Sequence, residues 1–122
     1  MINDGSIGTA FTCTNTLAST VVVGVEIFGP GGTARNDASA TSVAVAPGAT
    51  VIFVTTTMAL FQADSNLAPG PLSKGSARIL TTASSKASQQ VLCSAILADR
   101  LNNPPLAMTS LPIIRKNTQQ GD

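Results

Sequence analysis

The sequence contains no histidine, no tryptophan and no tyrosine. Histidine is the commonest general base near neutral pH and the commonest metal ligand. Without it, no Ser-His-Asp or Cys-His arrangement can form. Tyrosine and tryptophan are the usual platforms on which sugars and bases stack. Here four phenylalanines are the whole aromatic inventory. Charge is scarce as well, at 11% of residues, where an ordinary soluble domain carries about a quarter. The formal net charge of +1 supplies no field to attract nucleic acid or an anionic membrane. No apolar run is long enough to cross a bilayer as a helix, so no membrane insertion is expected. There is no Asn-x-Ser/Thr acceptor for N-linked sugar. The first residues show neither a basic stretch nor an apolar core, so no signal peptide is visible.

What is present is β-forming. A single domain over residues 1–122 fits the length. The longest β-branched run covers residues 20–28. Val21, Val23, Val25 and Ile27 share one face of it, and Val22, Gly24, Glu26 and Phe28 share the other. Branched side chains fit a pleated strand and lose rotamer freedom in a helix. A wholly apolar face must be covered by a second layer. Glu26 marks the other face as partly wet. Gly29, Pro30, Gly31 and Gly32 close the run with a turn. They lack the lysine and following helix of a phosphate loop.

Similar alternation predicts strands over residues 7–15, 40–46, 49–56, 75–82, 90–98 and 106–115. Pro47 and Gly48 suit the two central positions of a turn, which predicts a hairpin between the third and fourth strands. The fourth is apolar on both faces and is expected at the centre of its sheet. Residues 64–71 are expected to be irregular, because Pro69 and Pro71 lack a donor and restrict their neighbours. Either X-Pro bond at Pro104 and Pro105 is a candidate for cis. The termini, at about 1–5 and 117–122, are expected to fray.

About seven short strands at near-regular spacing predict an all-β, two-sheet antiparallel β-sandwich. In strand number and spacing the chain resembles immunoglobulin-like sandwiches in the broad sense. It lacks the Cys–Trp–Cys core of true immunoglobulin domains.

Cys13 and Cys93 are the only cysteines. Parity places both on inward strand faces, Cys13 beside Phe11 and Cys93 beside Val91, Ala95 and Leu97. An even count fits a disulfide in an oxidising compartment; the alternative is two buried thiols acting as small hydrophobes. Two thiolates without histidine do not fill a tetrahedral zinc site. No metal and no other cofactor is expected.

The carboxylates Asp4, Glu26, Asp37, Asp64, Asp99 and Asp122 are scattered, with no metal-loop or glycosidase-like spacing. Ser73–Lys74 and Ser85–Lys86 are adjacent pairs without the spacing of a serine–lysine nucleophile. Arg115–Lys116 reads as a solvated basic pair, since a nucleic-acid contact needs a basic stripe with aromatics.

The connection over residues 57–75 breaks the strand rhythm, and long connections in compact domains are often functional. It carries Met58, Leu60, Phe61, Leu67 and Leu72. These residues form either a partner-binding surface or a plug for one end of the sandwich.

The functional expectation is a non-enzymatic, secreted, periplasmic or surface-exposed domain that binds a protein partner or itself, with no nucleic-acid partner. A second reading is a subunit of a symmetric homo-oligomeric assembly, in a virus-like particle, a fibre or a pilus-like filament, with a virion or intracellular location. A third is a small hydrolase, against which the missing histidine counts.

Overall fold

A computed structural model describes residues 1–81 and 91–113. The expectations on Ser85–Lys86, Arg115–Lys116, Asp122 and the fraying of 117–122 lie outside the described residues. Eight strands are described, and they form the predicted β-sandwich. They are β1 (Ile7–Asn15), β2 (Val21–Phe28), β3 (Val43–Val45), β4 (Thr50–Val54), β5 (Ser65–Asn66), β6 (Ser76–Thr81), β7 (Val91–Asp99) and β8 (Met108–Leu111). One sheet has the order β5-β4-β1-β7-β8, and the other β3-β2-β6.

The β2 run builds the smaller sheet as its alternation requires. Val21, Val23, Val25 and Ile27 are all buried in one core with Phe11, Cys13, Phe53 and Val91 from the larger sheet. β2 is paired on both sides. β6 runs along its whole second half, from Val23 opposite Thr81 to Phe28 opposite Ser76. β3 covers only Val21 to Val23 on the other side. Beyond β3 the Asn36 side chain takes over the ladder: its Oδ1 accepts the Ile27 N–H at 2.8 Å and its Nδ2 donates to the Val25 carbonyl at 2.8 Å. The Val25 carbonyl and the Ile27 N–H are thus satisfied where no strand reaches them.

The third predicted strand is shorter than expected. Residues 38–41 instead form one helical turn, α1 (Ala38–Thr41). Asp37 caps it, accepting the N–H groups of Ser39 at 3.2 Å and Ala40 at 3.3 Å, as short acidic side chains do at helix starts. The turn lies on β2 at Gly24, where an added Cβ would sit 3.3 Å from the Ala38 carbonyl oxygen. Glycine there admits the close approach.

The predicted β3–β4 hairpin is corrected. The turn forms, with Gly48 at φ +79° and Ala49 N–H donating to the Ala46 carbonyl at 3.0 Å. However, it carries the chain from one sheet to the other rather than along one edge. The central strand of the larger sheet is β1, not β4. β4 lies between β1 and the two-residue β5. Its second apolar face is explained by a separate cover: Ile52 and Val54 pack on the outer side of the sheet with Ala10, Ile96, Ala98, Met58 and Phe61.

Two further expectations change. Residues 64–71 are not wholly irregular, since β5 pairs with β4 and does so in parallel, the one departure from an antiparallel fold among the described residues. Ser65 and Asn66 precede the prolines and keep their donors. Residues 1–5, expected to fray, are held down. Asn3 and Leu72 exchange backbone hydrogen bonds at 2.8 and 2.7 Å, and Thr9 Oγ1 donates to the Ile2 carbonyl at 2.6 Å. Of the two X-Pro bonds at 104 and 105, Asn103–Pro104 is cis.

Candidate functional site

Cys13 and Cys93 form a disulfide. They face each other directly across the β1–β7 ladder, with Cα atoms 4.1 Å apart. The bridge therefore links neighbouring strands within one sheet. Cys13 is fully buried and Cys93 packs at the margin of the main core.

The residues singled out on the 57–75 connection do not meet at one place. Leu67 and Leu72 are buried in the main core between the sheets. Met58 is buried on the opposite side of the larger sheet, with Phe61 partly buried beside it. Leu60 is likewise partly buried. Met58, Leu67 and Leu72 are thus buried, on two different sides of the larger sheet, and Leu60 and Phe61 keep some surface. Beside them lies a half-open depression of about 240 Å³ between Val54, Met58, Phe61 and Asp64.

Among the described residues the carboxylates do not cluster. Glu26 stands opposite Arg78 on β2 and β6 and pairs with it at 2.7 Å, while the Arg78 guanidinium lies 5.6 Å from the Phe28 ring centroid. Asp64 Oδ2 accepts the Ile52 N–H at 2.9 Å, and Asp37 caps α1. Among the described residues, no three of His, Cys, Asp and Glu come together as a metal site. Ser73 and Lys74 are both exposed on the approach to β6.

A different region gathers exposed apolar surface. Among the described residues, the large apolar side chains that stand most exposed are Leu92 (54%), Leu101 (61%), Leu106 (85%), Met108 (59%) and Ile113 (37%). All belong to β7, β8, the loop that joins them, or the residues just after β8.

That loop is built around one carboxylate. Asp99, nearly buried at the end of β7, accepts the Leu101 N–H at 2.9 Å through Oδ1. Its Oδ2 accepts from Asn102 Nδ2 and from the Leu106 N–H at 3.4 Å. The Asn102 amide, the Leu101 and Leu106 N–H groups and the Arg100 charge hold the carboxyl below its usual range, outweighing the effect of burial. Arg100 fixes the base of the loop, its N–H donating to the Ser6 carbonyl at 2.8 Å and its Nε to the Gly5 carbonyl at 2.8 Å. The polar groups thus turn inward onto Asp99, and the two leucines turn out.

Asp99, Leu101, Leu106 and Met108 were not singled out by sequence reasoning. Residues 101–113 carry no charge, but neither do residues 5–25 or 38–63, most of which are strand or core. Lack of charge alone does not separate an exposed apolar loop from a buried strand. Comparison with known protein families, with curated proteins and with solved structures finds no match.

Proposed function

We propose that this β-sandwich is a non-enzymatic domain that works by binding protein, with the β7–β8 loop and β8 as its contact surface. One observation carries the reading. Among the described residues, four of the five exposed large apolar side chains, Leu101, Leu106, Met108 and Ile113, lie in this loop, on β8 or just after it, and the loop bearing Leu101 and Leu106 is held in shape by Asp99. A loop already ordered loses little conformational freedom on binding. Leucines exposed on it release water when a partner covers them. The Cys13–Cys93 bridge supports an oxidising setting, outside the cytoplasm or at a cell surface. The reading invokes no cofactor and no nucleic acid.

A double variant, Leu101→Ser with Leu106→Ser, tests it. Both side chains are exposed, so the melting temperature should stay within about 1–2 °C of the parent, as for most surface changes. Association should be lost, whether with itself or with a protein from the cells that express it. Light scattering after size exclusion and native mass spectrometry read both. A variant that retains every association of the parent overturns the reading. So does a parent that binds lipid vesicles through these leucines and binds no protein.

A further inference from the structure

We infer that the protein bound at this edge is a second copy of the same chain, joined through β8 in an antiparallel two-fold pairing centred on Thr109. This rests on the association reading above and gives the partner a chemistry and a register.

β8 is the outermost strand of the larger sheet, and among the described residues none pairs with its free side. The direction of its backbone groups follows from the ladder with β7. The Asp99 N–H donates to the Ala107 carbonyl at 3.0 Å. In antiparallel pairing, opposed residues alternate between exchanging hydrogen bonds and not doing so. Counting on from 99 and 107, the pairs Leu97–Thr109 and Ala95–Leu111 exchange bonds, while Ala98–Met108 and Ile96–Ser110 do not. The N–H and C=O groups of Met108 and Ser110 therefore point away from β7, toward the open side.

A two-fold pairing of identical strands must set residue i against j and j against i. It must also keep the outer faces of the two sheets on the same side, so its centre falls on a residue. Centred on Thr109, Met108 meets the partner's Ser110 and Ser110 meets the partner's Met108. Each pair exchanges two bonds, and all four lie within β8. A centre at Met108 would recruit Leu106, whose N–H is already held by Asp99. A centre at Ser110 would recruit Pro112, which has no N–H.

Charge favours the same partner. A two-fold contact brings each side chain near its own copy, so any charge close to the axis meets its like. Residues 101–113 carry none. β6 offers a longer edge that no described residue pairs with, but Arg78 stands in its middle. Natural edge strands are commonly guarded by charge, by proline or by shortness. β8 has no charge; its guards are its length of four residues and Pro112 at one end.

Three measurements decide the matter. The parent protein, examined by sedimentation at roughly 100 µM, a range that reveals a micromolar dimer, should show a dimer. Ser110→Pro removes an N–H that β7 does not use, so the variant should keep its fold by circular dichroism and sediment as a monomer. Thr109→Cys should cross-link two copies on mild oxidation. Thr109 and its copy form a pair without mutual hydrogen bonds, with Cα atoms about 4.5 Å apart, inside the range a disulfide spans. A cysteine at exposed Thr33 should not cross-link under the same conditions. A parent that is monomeric at that concentration overturns the inference, as does a dimer that survives Ser110→Pro. If Ser110→Pro fails to fold, the Thr109→Cys cross-link decides: its presence supports the pairing and its absence refutes it. A monomeric parent that still loses another protein on Leu101→Ser with Leu106→Ser refutes the second copy and leaves the association reading standing.

Discussion

Asp99 holds the β7–β8 loop in shape, and its ionisation is the means. Three donors and the Arg100 charge favour the carboxylate, so its folded pKa lies below the ordinary 3.8. A depressed folded pKa means that the stabilisation is complete above the unfolded value and is lost as pH falls through the folded one. Amide shifts of Leu101 and Leu106 should therefore titrate together with a midpoint below 3.8. The difference in melting temperature between the parent and Asp99→Asn should be constant near neutrality and shrink at acid pH. A midpoint at or above 3.8 would remove Asp99 from the centre of the loop. The disulfide offers a second test at this scale. Its closed loop, with a sequence separation of 80, is worth about 4–5 kcal/mol in the chain-entropy model. β1 and β7 are already paired along nine residues, so residual pairing in the unfolded state would lower the value. Reducing the bridge should cost about that amount or less by chemical denaturation, and the intact parent should weigh about 2 Da less before reduction than after, for one S–S bond formed. Labelling of both thiols in unreduced, unfolded protein would contradict the bridge.

The secondary-structure elements differ in how plainly the sequence announced them. β2 was legible because one face alternates without exception, and its four inward residues are all buried. Val23→Asp places an unpaired carboxylate in that wall and should cost several kcal/mol. Glu26→Gln loses only a pair whose arginine is well exposed, worth about 0–1 kcal/mol. Equal shifts in melting temperature would mean that the faces are misassigned. α1 was not legible, because its four residues have no period to show. Its cap at Asp37 and the bare face of Gly24 become signals only once β2 is in place. β4 was misplaced for a similar reason. Its two apolar faces read as a central strand, whereas the second face is covered by Met58 and Phe61 from its own downstream connection. Phe61→Ser should therefore destabilise the protein, though by less than the roughly 3–5 kcal/mol of a fully buried phenylalanine, because Phe61 is only partly buried. An unchanged melting temperature would show that the cover contributes nothing.

At the scale of the molecule, fold class and candidate site were legible to very different degrees. Strand spacing and the parity of Cys13 and Cys93 lead to two sheets and a bridge between inward positions. They do not reveal that the two cysteines sit on adjacent strands, since strand order is set by which edges meet in space. The exposed edge was hidden more thoroughly. Leu97 and Leu111 lie partly buried while Leu101 and Leu106 stand exposed; the proline pair marks Leu101 as a loop residue, but nothing local separates Leu106 from Leu111 within the predicted strand. Only the turning of the loop about Asp99 does so. On the proposed reading this molecule meets other protein at the β7–β8 edge. Hydrogen exchange, compared between the isolated and the associated protein, tests that most directly. Added protection should fall on residues 100–111, with the amides of Met108 and Ser110 slowed together. Protection that falls instead on residues 57–63 or on β6, leaving 100–111 unchanged, would contradict it.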